Sequence, residues 1–146
     1  MELLQRIIHN LTAVHPPHTL FVHFPIALFS AAFFFIVLAL FKGGEVLEKI
    51  AFANLSLGSF STIFALAFGV RDSIVRYGGQ APNHTAKIVL ASILLLLTAV
   101  TALARWRNPQ LFFRPATRWL YVLAYFTSFA IVSVLGFLGG VIIYGF

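Results

Sequence analysis

Cysteine and charge are what this sequence has least of. No cysteine occurs in its 146 residues, which excludes disulfide scaffolds, thiolate zinc sites, iron–sulfur clusters and c-type haem attachment. Only 10% of the residues are charged and 60% are hydrophobic, whereas a soluble domain has about 25% charged and roughly 45–50% apolar residues. The same hydrophobicity excludes intrinsic disorder. We therefore expect an integral membrane protein that forms a single domain.

Acidic residues are scarce as well, with four Asp and Glu against ten Lys and Arg. The basic residues stand singly at the ends of apolar runs, where membrane topology accounts for them, and no basic stripe indicates a nucleic-acid partner. The sequence has no Gly-x-Ser-x-Gly elbow, no His-Glu-x-x-His pair and no glycine-rich phosphate loop. We expect no independent catalytic activity.

Four apolar runs are long enough to cross a bilayer, which takes about 20 residues of helix. They cover about residues 19–41, 50–70, 85–104 and 119–146. Because the backbone finds no water in the hydrocarbon core, these runs are expected to be helices. Residues 1–14 carry apolar side chains at helical spacing with polar ones opposite, which is typical of a helix lying in the membrane interface. The prediction is an all-α, antiparallel four-helix membrane bundle with a short N-terminal interfacial helix.

The connections between these runs contain turn and cap signals. Residues 42–49 form the first connection, in which Gly43 and Gly44 end the first helix. In the second connection, Asp72 is predicted to cap a short helix over residues 73–77 that ends at Gly78. Asn83 is predicted to cap the third span with its side chain.

All five histidines fall on one side of such a bundle. Antiparallel spans bring together the start of the first, the end of the second, the start of the third and the end of the fourth. This side gathers His9, His15, His18, His23 and His84. The opposite side carries six of the ten basic residues, namely Lys42, Lys49, Arg105, Arg107, Arg114 and Arg118. The positive-inside rule then predicts that the basic side faces the cytoplasm and that both termini lie outside.

His23 is the sharpest candidate for chemistry, because it lies about 6 Å inside the apolar onset at Thr19. A polar side chain at such depth points to function and needs a partner. We predict His84 as that partner, since two neutral imidazoles on facing helices can ligate a haem iron axially. His18 is the substitute ligand, and Tyr144 is placed to hydrogen-bond a haem propionate. Five glycines leave room for a flat macrocycle or for close helix packing, namely Gly58, Gly69, Gly136, Gly139 and Gly140.

Structural roles compete with this interpretation. Imidazoles near helix ends also hydrogen-bond to carbonyls, carboxylates or lipid headgroups, and Tyr144 also fits the interfacial aromatic belt. Copper or zinc binding by the histidines is a weaker alternative, because their spacing matches no established ligand set. The spacing of Gly136 and Gly140 permits close approach of another helix, including one from a second copy of the chain.

The segment at residues 18–28 reads His-Thr-Leu-Phe-Val-His-Phe-Pro-Ile-Ala-Leu. It resembles the His-Pro-x-x-Val-His-Phe-Pro-Ile-Ala-Leu opening of an uncharacterised bacterial family of four-helix membrane proteins, a domain of unknown function. It departs from that pattern at Thr19, where the family has proline. The resemblance continues at Gly69-Val-Arg-Asp72, at His84 and at Gly139-Gly140-Val-Ile-Ile-Tyr144. Relatives are often attached to c-type cytochrome domains, which implies a respiratory or electron-transfer setting outside the cytoplasm. Together with the charge distribution, the resemblance to a bacterial family implies a multi-pass protein of the bacterial inner membrane with both termini on the periplasmic side.

Two functional hypotheses follow, and the sequence leaves both open. The first is a small membrane subunit that binds haem b near the outer face through His23 and His84. It would pass electrons between a periplasmic c-type cytochrome and a larger respiratory or photosynthetic-type complex. The second is a cofactor-free accessory subunit that packs within a larger membrane complex and against membrane lipid.

Overall fold

The described part of the chain folds into four long helices. The computed structural model describes residues 3–5 and 17–144, and most of the predicted interfacial helix over 1–14 lies outside them. The helices are α1 (Pro17–Lys42), α2 (Glu45–Tyr77), α3 (His84–Arg107) and α4 (Pro115–Tyr144). Each is long and apolar enough to cross a membrane, and the described part of the chain contains no β-strand. The predicted all-α membrane bundle is confirmed.

The helices form an antiparallel ring. α1 packs against α2 and α4, and α3 packs against the same two helices, so α1 and α3 lie at opposite corners. The start of α1 and of α3 and the end of α2 and of α4 make up one end of the bundle. We name it the histidine end, after His23 and His84. The opposite end is the basic end, after Lys42, Arg105 and Arg118.

The first connection is shorter than predicted. α2 already begins at Glu45, so the predicted connection over 42–49 is wrong and only Gly43 and Gly44 join the two helices. Both glycines have positive φ angles, of 67° and 122°, which side-chain-bearing residues rarely adopt. The Gly43 N–H donates to the carbonyl of Ala39. Two glycines are therefore enough to reverse the chain, and the residues after them are free to be helical.

The second connection also differs from the prediction. Asp72 does not start a new helix, because residues 73–77 continue α2 without a break. Gly78 does end the helix, in the left-handed conformation and with its N–H bonded to the Ile74 carbonyl, as expected. Asn83 precedes α3 at a φ of 55° and makes no side-chain cap. A capping side chain normally requires extended backbone, so here only the Asn83 carbonyl serves the first turn, accepting from the Lys87 N–H.

The core is built from one stripe on each helix. Buried positions recur at steps of three and four residues, a period of about 3.5 that suits helices packed side by side. The stripe of α1 is Phe29, Ala32, Ile36 and Ala39, and that of α2 is Glu48, Ala51, Leu55, Gly58, Thr62 and Ala65. The stripe of α3 is Leu94, Thr98, Thr101 and Arg105, and that of α4 is Tyr121, Tyr125, Ser128 and Val132.

The polar side chains in the middle of these stripes are satisfied locally. Thr62, Thr98, Thr101 and Ser128 each donate to the carbonyl four residues earlier in their own helix, at 2.7–2.8 Å. In a medium without water such bonds remove the penalty of burying a hydroxyl. These hydroxyls therefore stabilise the interior and form no continuous polar path between the two ends of the bundle.

Candidate functional site

The histidine end holds the residues that the sequence singled out. His23 and His84 are described with their side chains. The side chains of His18 and Tyr144 lie outside the described residues, as do His9 and His15 entirely. Within the described part of the chain, no group of three or more His, Asp or Glu side chains is placed to hold a metal ion.

His23 lies on the outer surface of α1. Its side chain is exposed, whereas Pro25 two residues later is buried. Two residues turn an α-helix by roughly 200°, so His23 points away from the bundle core. It has no hydrogen-bond partner among the described residues. An imidazole therefore faces outward within the apolar part of α1.

His84 occupies a different place. It is the first residue of α3 and is half-buried, and its backbone N–H donates to the Ala81 carbonyl at 3.1 Å. α3 lies across the ring from α1, and His23 points outward. No contact among the described residues joins the two imidazoles.

Side chains fill the interior beside two of the glycines that the sequence offered as room for a macrocycle. A methyl group added at Gly58 would lie 2.9–3.1 Å from the ring of Phe29, and one added at Gly136 would lie 3.5 Å from Ile26. These glycines serve close packing of α1 against α2 and α4. Nearer the histidine end, the rings of Phe21 and Phe68 stack with centroids 4.6 Å apart.

An ion pair lies near the same end on α2. Arg71 Nη1 donates to Asp72 Oδ1 at 3.0 Å, with the carboxylate buried and the guanidinium partly exposed. Beside it, the buried hydroxyl of Ser73 finds no partner among the described residues. Asp72 thus acts in a pair within α2 and not as the helix cap that the sequence indicated.

The basic end contains a buried ionic network that sequence reasoning missed. Arg105 on α3 donates two parallel hydrogen bonds to the carboxylate of Glu48 on α2. Nε donates to Oε1 at 2.6 Å, and Nη2 donates to Oε2 at 2.7 Å. Glu48 is 0% exposed and Arg105 is 7% exposed. The guanidinium also lies over the ring of Phe52, 5.2 Å from its centroid. Fork-to-fork geometry of this kind is the strongest that an arginine and a carboxylate form.

Two tyrosines of α4 complete the network. The Tyr121 hydroxyl donates to Glu48 Oε1 at 2.9 Å and is 2.7 Å from the Tyr125 hydroxyl. Because the single O–H of Tyr121 donates its hydrogen bond to the carboxylate, the Tyr125 hydroxyl must be the donor in the bond between the two hydroxyls. The Tyr125 hydroxyl therefore donates to that of Tyr121, which donates to the negatively charged carboxylate. These hydrogen bonds connect α2, α3 and α4 at the basic end.

The arrangement acts as a clamp. The two opposite charges neutralise each other, and each carboxylate oxygen accepts at least one hydrogen bond. Breaking such a buried pair leaves an uncompensated charge, whereas the intact pair orients its helices. We therefore assign the network to helix positioning. The outward imidazole of His23, which has no hydrogen-bond partner among the described residues, is the better candidate for contact with another molecule.

A signal for the network was present in the sequence. Glu48, Arg105, Tyr121 and Tyr125 continue the three-and-four spacing of the core stripes on their helices. This spacing becomes visible only when the helix begins at Glu45, because a connection over residues 42–49 leaves Glu48 outside the helix.

Comparison with known proteins gives the chain a family. No curated protein matches it, and no solved structure matches it. A family model described as "Predicted membrane protein (DUF2231)" matches residues 14–146, which is nearly the whole chain and includes all four helices. This multi-pass membrane protein therefore belongs to the family of predicted membrane proteins named DUF2231.

Proposed function

We propose that the chain is an accessory subunit of a larger membrane complex, and that a partner contacts the outer face of α1 around His23. The exposed imidazole of His23 carries this proposal. A polar side chain within a span is costly when it faces lipid and normally pairs with another polar group. A helix of another protein supplies such a group across a membrane interface.

The packed interior of the bundle supports the same proposal, because its space and its ionic groups are already occupied by contacts within the chain. Phe29 closes the space at Gly58, and the Glu48 carboxylate accepts hydrogen bonds from both Arg105 and Tyr121. The buried ionic network thus already has its partners within the bundle, whereas the exposed imidazole of His23 has no hydrogen-bond partner among the described residues. In addition, Gly136 packs against Ile26 of the same chain, so it supports packing within one copy more directly than the predicted contact between copies.

The proposal is tested by quantitative co-purification from native membranes. We compare the unaltered chain with His23→Leu and with Ser92→Leu, which removes an exposed polar group from the outer face of α3. A membrane protein retained in stoichiometric amount by the unaltered chain and by Ser92→Leu is expected to be lost with His23→Leu. Retention of the same proteins by all three chains would contradict the proposal.

A second candidate function is haem b binding with electron transfer, as the sequence predicted. Its supporting observation is that the His23 imidazole has no hydrogen-bond partner among the described residues and is exposed. Because His23 points outward and His84 lies across the ring, the haem would lie against the outer face of α1, with a second axial ligand from His18 or a neighbouring protein. Electrons would then pass between a periplasmic c-type cytochrome and the larger complex.

An absorption spectrum separates the two candidates. For the haem candidate, the natively expressed and purified protein shows a b-type reduced-minus-oxidised spectrum, about one haem per chain by pyridine haemochrome assay, and loss of the Soret band in His23→Ala. A flat spectrum would exclude the haem candidate and leave the accessory subunit.

A further inference from the structure

Two polar side chains lie near the opening of the bundle at the histidine end, which we call the mouth. Lys87 precedes Arg105 on α3 by 18 residues, which is five full turns of helix. Ser73 follows Glu48 on α2 by 25 residues, which is almost seven turns. Because the Arg105 and Glu48 side chains meet between α3 and α2, Lys87 and Ser73 also lie on facing sides of these helices. Both are within about one turn of the helix ends that residues 78–83 connect.

The Ser73 hydroxyl is buried without a partner. The residue is 4% exposed, and its Oγ makes no hydrogen bond within the described part of the chain. The hydroxyls of Thr62, Thr98 and Ser128 differ, because each donates to a carbonyl of its own helix. An unsatisfied buried hydroxyl is destabilising. A ligand atom that accepts a hydrogen bond from Ser73 would remove that cost.

Lys87 is a cation without a counter-ion among the described residues. Its side chain is half-buried and takes part in none of the ion pairs that these residues form. Helix side chains tilt toward the N-terminus, which directs the ammonium of Lys87 toward the mouth. Arg71 at the same end already pairs with Asp72. Because a cation within a span normally pairs with another polar or charged group, Lys87 is suited to a negatively charged ligand.

The N-terminus of α3 adds further hydrogen-bond donors beside Lys87. Asn83 provides no side-chain cap, and the first turn of the helix contains no acidic residue. The backbone N–H groups of Thr85 and Ala86 have no acceptor among the residues that the structure describes. The partial positive charge at such a helix end favours an anion. The buried hydroxyl, the cation and the helix end therefore all call for the same kind of ligand.

Space for this ligand remains beside α4. Gly139 follows Tyr121 by 18 residues, again five full turns, so it lies on the side of α4 that reaches the ionic network at the basic end. A methyl group added at Gly139 would meet no atom within 4 Å. Where the basic end has a tyrosine side chain, the mouth is therefore open.

We propose that the mouth binds a singly charged oxyanion, which is either a soluble carboxylate or the phosphodiester of a lipid headgroup. The Lys87 ammonium and the N-terminus of α3 supply the positive charge, and the Ser73 hydroxyl donates a hydrogen bond. A single unpaired cation matches a single negative charge. This proposal does not depend on a partner at the outer face of α1.

NMR of lysines dimethylated with ¹³C tests the proposal. The chain has three lysines, Lys42, Lys49 and Lys87, and the first two lie at the basic end, where they serve as internal controls. Methylation keeps the positive charge of a lysine, and Lys87→Arg assigns its signal. The protein in dodecyl maltoside micelles is titrated with sodium acetate or with phosphatidylglycerol. Sodium chloride at equal ionic strength is the reference.

The Lys87 signal is expected to shift and to saturate, with acetate at concentrations on the order of millimolar or with phosphatidylglycerol. The signals of Lys42 and Lys49 should shift no more than they do in chloride. Saturation by acetate identifies a soluble carboxylate as the ligand, and saturation by phosphatidylglycerol alone identifies a lipid headgroup. Ser73→Ala removes one hydrogen bond and should weaken binding about three- to ten-fold. Ser92→Ala, on the outer face of α3, should leave binding unchanged.

Three results would overturn the proposal. The absence of a saturable Lys87 shift with either probe would mean that the mouth binds no such anion. Equal shifts of all three lysines would mean that the anion only screens charge. Equal binding by Ser73→Ala and Ser92→Ala would mean that the buried hydroxyl does not face a ligand. Since Ser73→Ala removes a hydroxyl that has no partner among the described residues, this variant is expected to fold.

Discussion

The Glu48 carboxylate is fully buried, and every bond that it makes reaches a different helix from its own. Arg105 on α3 donates to both of its oxygens, and Tyr121 on α4 donates to one of them. In a region without water, each of these groups depends on the others for its hydrogen bonds. The stability of the basic end is therefore concentrated in a few side chains.

Removing one charge of this pair should destabilise the bundle more than removing both. Arg105→Leu leaves Glu48 as a buried charge and should lower the free energy of unfolding by about 3–5 kcal/mol. Glu48→Leu combined with Arg105→Leu should recover most of that loss, since apolar side chains then fill the site. The free energy of unfolding is measured by reversible unfolding in bicelles for the unaltered chain, the single variant and the double variant. Equal losses for the single and double variants would contradict the clamp.

Glu45→Gln is the matched control for this experiment. Glu45 pairs with Lys49 at 2.7 Å on the same helix, but both side chains are exposed. Exposed pairs contribute little because solvent screens them. The free energy of unfolding should stay nearly unchanged in this variant.

The two tyrosines should differ in importance although both are buried. Tyr121→Phe removes a donor to Glu48 and also the acceptor of the Tyr125 hydroxyl, so it should cost about 1–3 kcal/mol. Tyr125→Phe leaves the Tyr121 bond to Glu48 intact and should cost at most about 1 kcal/mol. The same unfolding assay compares them, and a larger loss for Tyr125→Phe would reverse the order of donors that we assign.

At the scale of the helices, α1 and α2 form the closest pair. Small residues line their contact, with Ala32 and Ala39 on α1 and Ala51 and Gly58 on α2. Small residues let helix backbones approach in membranes, where packing replaces the hydrophobic driving force. Phe29 fits against Gly58 because that position has no side chain.

Gly58→Ala should therefore destabilise the α1–α2 pair. The added methyl group would meet the Phe29 ring at 2.9–3.1 Å, and such overpacking costs about 1–3 kcal/mol. Gly139→Ala is the control, because its added methyl group meets no atom within 4 Å. When both variants are measured in the same unfolding assay, Gly58→Ala should have a lower free energy of unfolding than Gly139→Ala. Equal stability would show that Phe29 moves aside freely.

The helices themselves were readable from the sequence, whereas their ends and the buried network were not. Apolar runs of about 20 residues predict spans directly. The apolar pattern does not show where a turn is complete, so it predicts a connection over residues 42–49 that includes Glu48, whereas Gly43 and Gly44 alone make the turn. The orientation of His23 was equally hidden, because a membrane helix is apolar on its lipid face as well as on its core face.

At the scale of the whole molecule, the two ends differ in chemistry. The described histidines lie at one end, and Lys42, Arg107, Arg114 and Arg118 lie at the other. We propose on this basis that the basic end faces the cytoplasm of a bacterial inner membrane and that both termini face the periplasm.

Because the chain has no cysteine, single substitutions test this orientation cleanly. Gln80 is exposed between α2 and α3 at the histidine end, and Gln110 is exposed between α3 and α4 at the basic end. In spheroplasts, Gln80→Cys should react with a membrane-impermeant maleimide and Gln110→Cys should react only after lysis. The opposite pattern would invert the topology.

The central claim is that the outer face of α1 around His23 contacts a partner subunit, and site-specific photocrosslinking in native membranes tests it most directly. A photoreactive amino acid replaces Phe24, which is 57% exposed beside His23, or Val89, which is 50% exposed at a similar depth on α3. We expect one defined crosslinked membrane protein from position 24, which is absent from position 89 and weakened by His23→Leu. Crosslinks to lipid alone from both positions would contradict it.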